Sequence, residues 1–118
     1  MKKYHWFIFY CNTISRIREV LKLRSKNQDI IVALSTSLEP SDSFFKNILI
    51  KLYVPYEGIC SDYREFVKEL YEECDDCDSF EIDEQKLDIL KKKEVDVIGR
   101  VEKIITLQEE INDILNLN

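Results

Sequence analysis

Three stretches of the chain carry the hydrophobic pattern of β-strands. Residues 4–11 are almost entirely apolar on both alternating faces, which is typical of a central strand covered on two sides. Residues 30–35 (IIVALS) predict a second strand, and residues 48–54 (ILIKLYV) predict a third because apolar side chains alternate along them. A helix over 44–53 is the rival interpretation of the third stretch, but its β-branched residues and the following Pro55 favour a strand.

Two further stretches repeat apolar residues at the spacing of an α-helix. The first follows a candidate N-cap at Asn12 or Thr13 and ends near Gln28. Its apolar face consists of Ile14, Ile17, Val20 and Leu21. The second begins after a cap at Ser61 or Asp62. Its apolar face consists of Tyr63, Phe66, Val67, Leu70 and Tyr71.

The remainder of the chain predicts one short strand and one long helix. The run SFEI at 79–82 is a marginal fourth strand, and a helical pattern continues from Glu84 to the end of the sequence. The order β-α-β-β-α-β followed by a helix is that of an α+β protein with the ferredoxin-like split βαβ arrangement. We therefore expect a single domain over 1–118, with a βαββαβ core at about 4–83 and an amphipathic C-terminal helix at about 84–116. This fold supports many functions and assigns none.

The N-terminal apolar run has one feature of a secretion signal, because Lys2 and Lys3 precede it. A signal peptide ends in a cleavage site of small residues, but here Arg16 and Arg18 follow, and the chain's only alanine is Ala33. No other run approaches the roughly 18 apolar residues of a membrane helix. We therefore predict a cytoplasmic protein without a membrane segment, in which the cysteines are reduced.

The composition disfavours the common enzyme and cofactor sites. Only two glycines, Gly58 and Gly99, are present, whereas phosphate-binding loops need several in one turn. The acidic tract at 72–84 does not match the ligand positions of a calcium-binding EF-hand loop. His5 is the single histidine and lies within a predicted strand, where nothing places a nucleophile beside it. We expect no enzymatic activity and no cofactor.

The cysteines suggest a metal site only weakly. Cys74 and Cys77 have the C-x-x-C spacing of a zinc knuckle, but a second ligand pair with knuckle spacing is missing. Redox activity is also disfavoured, because a helix C-terminus and the neighbouring carboxylates oppose formation of a thiolate. Structural zinc at Cys60, Cys74 and Cys77 is the alternative to plain reduced thiols.

Charge is distributed unevenly along the chain, whose net charge is −6. Residues 1–28 hold seven basic residues against one acid, whereas residues 57–84 hold twelve acids against two basic residues. Such polarity concerns partners and association rates, and not the fold. The leading hypothesis is a small acidic protein of the inhibitor, antitoxin or immunity type that docks a basic partner, such as a toxin or an enzyme, through segment 57–84. The predicted contact residues are Tyr63, Tyr71, Glu72, Glu73, Asp75, Asp76 and Asp78.

Two alternatives remain open. The C-terminal helix has nearly heptad spacing over 97–115, which suits a self-associating structural or regulatory module, and a homodimer could also pair the basic helix with the acidic segment of a second copy. The basic helix 15–26 could instead bind nucleic acid, beside an aromatic stacking platform on the sheet. For that platform we expect one sheet face to carry His5, Phe7, Phe9, Lys51 and Tyr53, unless the C-terminal helix packs over it. The net negative charge disfavours phosphate binding.

Overall fold

The computed structural model describes residues 1–34, 48–56 and 61–116. Four strands and three helices follow one another in these ranges. They are β1 (Lys2–Cys11), α1 (Ile14–Ser25), β2 (Ile31–Leu34), β3 (Ile48–Pro55), α2 (Ser61–Glu73), β4 (Asp76–Ile82) and α3 (Glu84–Leu115). The composition of residues 39–43 (EPSDS) predicts a turn, and this segment lies outside the described residues.

The four strands form one antiparallel sheet in the order β2-β3-β1-β4. This sheet and the three helices confirm the α+β class predicted from the sequence. β4 is longer than the run at 79–82 that the sequence indicated, because the acidic residues from Asp76 onward also pair with β1. Acidic side chains are tolerated there because β4 is an edge strand, and both Asp76 and Asp78 remain exposed.

One face of the sheet forms the main hydrophobic core. Phe7 and Phe9 of β1 lie opposite Leu52 and Ile50 of β3, and all four side chains are fully buried. The three helices cover this face with Ile17, Val20, Leu70, Val101 and Ile104. Each fully buried side chain of this size contributes about 1.5–3 kcal/mol by leaving water, so this face accounts for most of the hydrophobic stabilisation of the helices.

The position of α3 differs from the one considered from the sequence. Its first turns place Leu87 in a second, smaller cluster with Tyr4, Ile31 and Ile82 at one end of the opposite sheet face. Its later turns bring Val101 into the main core. The sequence left open whether this helix packs on the sheet, and in the structure its apolar stripe is divided between two clusters of the sheet.

Glu94 lies between these two parts of α3, where the helix packs against β2 at the edge of the sheet. Its Oε2 accepts a hydrogen bond from Val32 N at 2.6 Å, and its Oε1 lies 2.8 Å from Arg24 Nη2. Unpaired backbone groups at a sheet edge are a template for pairing with another chain. A helix carboxylate therefore satisfies an edge group that would otherwise be available to a second strand.

Local hydrogen bonds explain where two helices begin. Thr13 Oγ1 accepts a hydrogen bond from Arg16 N at 3.1 Å, so Thr13 and not Asn12 is the N-cap of α1. Asp83 caps α3 in the same way, with Lys86 N as the donor at 2.8 Å. Within the described ranges, no helix combines the length and the apolar character needed to cross a membrane.

A candidate protein-binding face of the sheet

Among the described residues, the sheet face opposite the main core is covered at one end only. The first turns of α3 pack there through Leu87, while side chains of β1, β3 and β4 that are half-buried or exposed occupy the rest. We call this region the open face. It consists of Trp6, Ile8, Tyr10, Leu49, Lys51, Tyr53, Asp76 and Asp78. Tyr10 is 51% exposed, so a large aromatic side chain of a central strand is accessible from outside.

Two rows of side chains run across the open face. In the first row Trp6 lies between Tyr53 and Asp78. In the second row Ile8 lies between Lys51 and Asp76. Directly opposed side chains of this kind have Cβ atoms about 4.5–5.5 Å apart. Each row is therefore a continuous strip with an apolar centre and a carboxylate at its β4 end.

Lys51 is the basic member of the open face, and it packs on an aromatic ring. Its Nζ lies 5.1 Å from the centroid of the Trp6 ring, which is the geometry of a cation–π contact. Such a contact is worth about 0.5–1 kcal/mol at an exposed site. The Trp6 ring thus already accepts a cation from β3, whereas the two carboxylates of the face belong to β4, on the other side of β1.

The register corrects the aromatic platform expected from the sequence. His5, Phe7 and Phe9 lie on the face covered by the helices, whereas Lys51 and Tyr53 lie on the open face. Both faces of β1 are apolar, so the sequence pattern of β1 does not determine which of its two sets accompanies the lysine.

Four members of the open face were missed by sequence reasoning, namely Trp6, Ile8, Tyr10 and Leu49. Lys51 was the available signal, because lysine is rarely fully buried and marks the less covered face of β3. A signal for β1 is absent, since a strand that is apolar on both sides offers no polar residue that points to solvent.

His5 has a packing role between two tyrosines. Its ring stacks on Tyr56 with centroids 4.4 Å apart, and its Nδ1 lies 3.3 Å from Tyr71 Oη. Burial, together with the charge of Lys3, lowers the pKa of His5 below 6.5. The imidazole is therefore neutral at neutral pH, and packs as an uncharged aromatic ring.

Two of the predicted acidic contact residues are engaged within the fold. Arg16 Nη2 donates to Glu73 O at 2.8 Å and lies 3.3 Å from Asp75 Oδ2. The same oxygen of Asp75 accepts a hydrogen bond from Tyr10 N at 2.8 Å. Glu72 is exposed near the end of α2. Glu73 and Asp75 therefore belong to the junction between α1, α2 and β1, and Glu72 lies on α2, away from the open face.

The two predicted tyrosine contacts lie on α2, against the helix-covered side of the sheet. Tyr71 is 46% exposed, and its ring packs edge-on against Phe7 at 5.2 Å. The hydroxyl of Tyr63 is buried without a hydrogen-bond partner among the described residues, and burial raises the pKa of Tyr63 to about 12. Of the seven predicted contact residues, the structure brings Asp76 and Asp78 together on the open face.

Most basic residues of α1 are paired with acids elsewhere in the fold. Besides Arg16, these pairs are Arg18 with Glu109 and Arg24 with Glu94, and Lys26, the C-cap of α1, pairs with Glu69. Lys22 has no ion-pair partner in the part of the chain that the structure describes. The charge asymmetry along the sequence is thus partly compensated within one chain, and less positive charge is left for phosphate groups.

The cysteines form no metal site in the described part of the chain. No group of three or more histidine, cysteine or acidic side chains is close enough there to hold a metal ion. Cys60, one ligand of the zinc alternative, lies outside the described residues. Burial and a hydrogen bond with Cys77 raise the pKa of Cys74 to about 12. Its thiol is therefore protonated at neutral pH and is a poor ligand and nucleophile in that form.

Comparison with known proteins adds no assignment to this geometry. No protein-family model matches the chain, and no curated protein or solved structure is significantly similar to it. A function must therefore be inferred from the chain's own residues.

Proposed function

We propose that this protein is a small, acidic, non-enzymatic module that binds a basic protein on the open face of its sheet. The observation that carries the proposal is the row in which Trp6, incompletely buried, lies between Tyr53 and Asp78. Tryptophan and tyrosine are enriched among the residues that dominate binding energies. A carboxylate beside them favours a basic partner over an acidic one.

The charge of the molecule supports the same class of partner. The net charge is −6, and most basic side chains of α1 are already paired. The resulting negative field accelerates encounter with a basic protein and is weakened by salt. An inhibitor, antitoxin or immunity protein that acts on a basic toxin or enzyme has these properties.

We also infer that the fold is ferredoxin-like. The antiparallel order β2-β3-β1-β4 and the packing of α1 and α2 against one sheet face support this arrangement. In that fold the two crossover helices share one face of the sheet. The part of the opposite face that α3 does not cover is then available for binding.

The proposal is tested by affinity capture from the native source, followed by binding measurements with the purified partner. The test variant is Asp76→Asn/Asp78→Asn. The matched control is Asp88→Asn/Asp96→Asn, which makes the same charge change on exposed positions of α3. We expect a basic protein that binds the wild type and the control, and that binds the test variant at least about tenfold more weakly.

Trp6 provides a second readout, because it is the only tryptophan in the chain. Fluorotryptophan incorporated at this position gives a signal that is separate from the tryptophans of a partner. We expect a partner to shift this signal and to protect Trp6 from collisional quenching. Capture of nucleic acid, capture of a second copy alone, or equal weakening of binding in both variants would contradict the proposal.

A further inference from the structure

Among the described residues no further strand pairs with the outer edge of β4, whereas α3 packs against β2 at the other edge of the sheet. Asp76, Asp78, Ser79 and Glu81 are all exposed, and among the described strands β4 pairs with β1 alone. Backbone groups alternate in direction along an antiparallel strand, so half of the N–H and C=O groups of β4 face away from β1. Such outward groups are a template for an additional strand.

Two of the outward N–H groups form hydrogen bonds with the side chain of the preceding residue. Cys77 N donates to Asp76 Oδ1 at 2.9 Å, and Ser79 N donates to Asp78 Oδ1 at 2.8 Å. Each carboxylate oxygen occupies the acceptor position that a carbonyl of a neighbouring strand would take. When a carbonyl replaces it, the carboxylate is released and can pair with a cation.

We propose that the basic partner adds an extended segment to the β4 edge as a fifth strand, with basic side chains beside Asp76 and Asp78. This inference rests on the proposed function and specifies its binding mode. In strand addition the main-chain hydrogen bonds supply affinity, and alternate side chains supply specificity. Asp76 and Asp78 are two positions apart, so their side chains lie on the same face of the sheet. Lysine or arginine at every second position of the added strand lies on that face too and can pair with both carboxylates.

Charge disfavours a second copy of this chain as the added strand. β4 (DCDSFEI) holds three acids and no basic residue. Antiparallel pairing of two such strands places like charges near one another across the new ladder, which destabilises it. The β2 edge is not an equivalent site, because α3 packs against β2 and its Glu94 accepts a hydrogen bond from Val32 N. A basic extended segment at β4 avoids both penalties.

Hydrogen exchange measured by NMR tests this binding mode on the full chain. The probe is a short capped peptide in which lysine alternates with valine, and the control peptide carries glutamate at each lysine position. We expect the lysine peptide to slow exchange at the outward N–H groups of Cys77, Ser79 and Glu81 by at least about tenfold. The N–H of Phe80, which the alternation directs toward β1, is expected to show little change.

Proline substitution separates strand addition from docking through side chains alone. Ser79→Pro removes an outward N–H that does not take part in the β1–β4 ladder, and proline is tolerated in that orientation on edge strands. Ser79→Ala keeps the N–H and serves as the control. We expect Ser79→Pro to bind the lysine peptide at least about tenfold more weakly than Ser79→Ala.

Three results would overturn the strand addition. The first is binding of the lysine peptide without protection of the outward N–H groups. The second is equal binding of this peptide by the proline and alanine variants. The third is no protection at up to about 5 mM peptide, a concentration at which even a millimolar dissociation constant gives measurable binding. Protection that grows with protein concentration without peptide would indicate a β4–β4 pair and would also contradict it. The proposed function fails on a different result, a captured partner that is insensitive to the change at Asp76 and Asp78.

Discussion

Arg24 and Glu94 lie 70 positions apart in the sequence and form an ion pair, with Arg24 Nη2 at 2.8 Å from Glu94 Oε1. Their side chains are 28% and 13% exposed, so the pair is largely shielded from water. Since the other carboxylate oxygen of Glu94 accepts a hydrogen bond from Val32 N, one side chain connects α1, α3 and the edge of β2.

Glu94→Ala is expected to lower the free energy of unfolding by about 2–3 kcal/mol. The change leaves the partly buried guanidinium of Arg24 and the N–H of Val32 without their acceptor. Urea denaturation gives the difference directly. Glu102→Ala, at an exposed position of the same helix, is the control and is expected to change stability by less than about 0.5 kcal/mol. Equal losses in the two variants would contradict the role assigned to Glu94.

Arg16→Lys is expected to destabilise the protein by about 1 kcal/mol even though the charge is kept. The guanidinium contacts both Glu73 O and the Asp75 carboxylate, and a single ammonium group does not reproduce that geometry. Thermal unfolding measures the effect. Arg18→Lys provides the matched comparison, because the pair between Arg18 and Glu109 is exposed and such pairs contribute little. A neutral result for Arg16→Lys would show that an ammonium group replaces the guanidinium of Arg16 without loss of stability.

Tyr63→Phe is expected to leave stability unchanged or to raise it by up to about 1 kcal/mol. The hydroxyl of Tyr63 is buried without a partner among the described residues, so its removal relieves a desolvation cost. Tyr71→Phe is the comparison, and it loses the contact between Tyr71 Oη and His5 Nδ1. Chemical denaturation of both variants is the measurement. A clear loss of stability in Tyr63→Phe would mean that this hydroxyl has a partner.

Cys74 is expected to react slowly with iodoacetamide in the folded protein. Its pKa is raised to about 12, so at a given pH the thiolate fraction is smaller than in an ordinary cysteine, and the thiolate is the reactive form. At about pH 7.5 the rate is expected to be at least about 100-fold below that of the unfolded chain, and to rise about tenfold per pH unit. Peptide-resolved mass spectrometry separates this residue from the other cysteines. Equal rates in the folded and unfolded chain would show that the thiol is not shielded.

The helices and three strands were predictable because each is determined largely by its own residues. The apolar spacing in α1 and α2 and the alternation in β3 are local properties. The face of the sheet that each set of β1 side chains occupies is not a local property. It depends on the register between β1 and β3, because a shift of that register by one residue exchanges the two faces. The sequence likewise indicated an amphipathic α3, but not that Leu87 and Val101 contribute to different clusters.

The predicted site was incomplete for a similar reason. The sequence does not distinguish an acidic residue that pairs with a basic residue of the fold from one that forms no ion pair. Glu73 and Asp75 were grouped with Asp76 and Asp78 because they are neighbours in sequence, yet both bind Arg16, which lies 57 and 59 positions away. Alternation along β4 is what separates them, since it directs Asp76 and Asp78 toward the open face.

The position of α3 against the β2 edge also bears on how large an assembly can become. A sheet with two free edges can accept a neighbour on each side, and repeated head-to-tail contacts of that kind extend into a fibre unless they form a ring. In this protein α3 packs against β2, and its Glu94 accepts a hydrogen bond from Val32 N, so we expect strand pairing at β4 and not at β2. A complex built by strand addition is therefore expected to end after a single added chain, with a fixed one-to-one stoichiometry at any concentration.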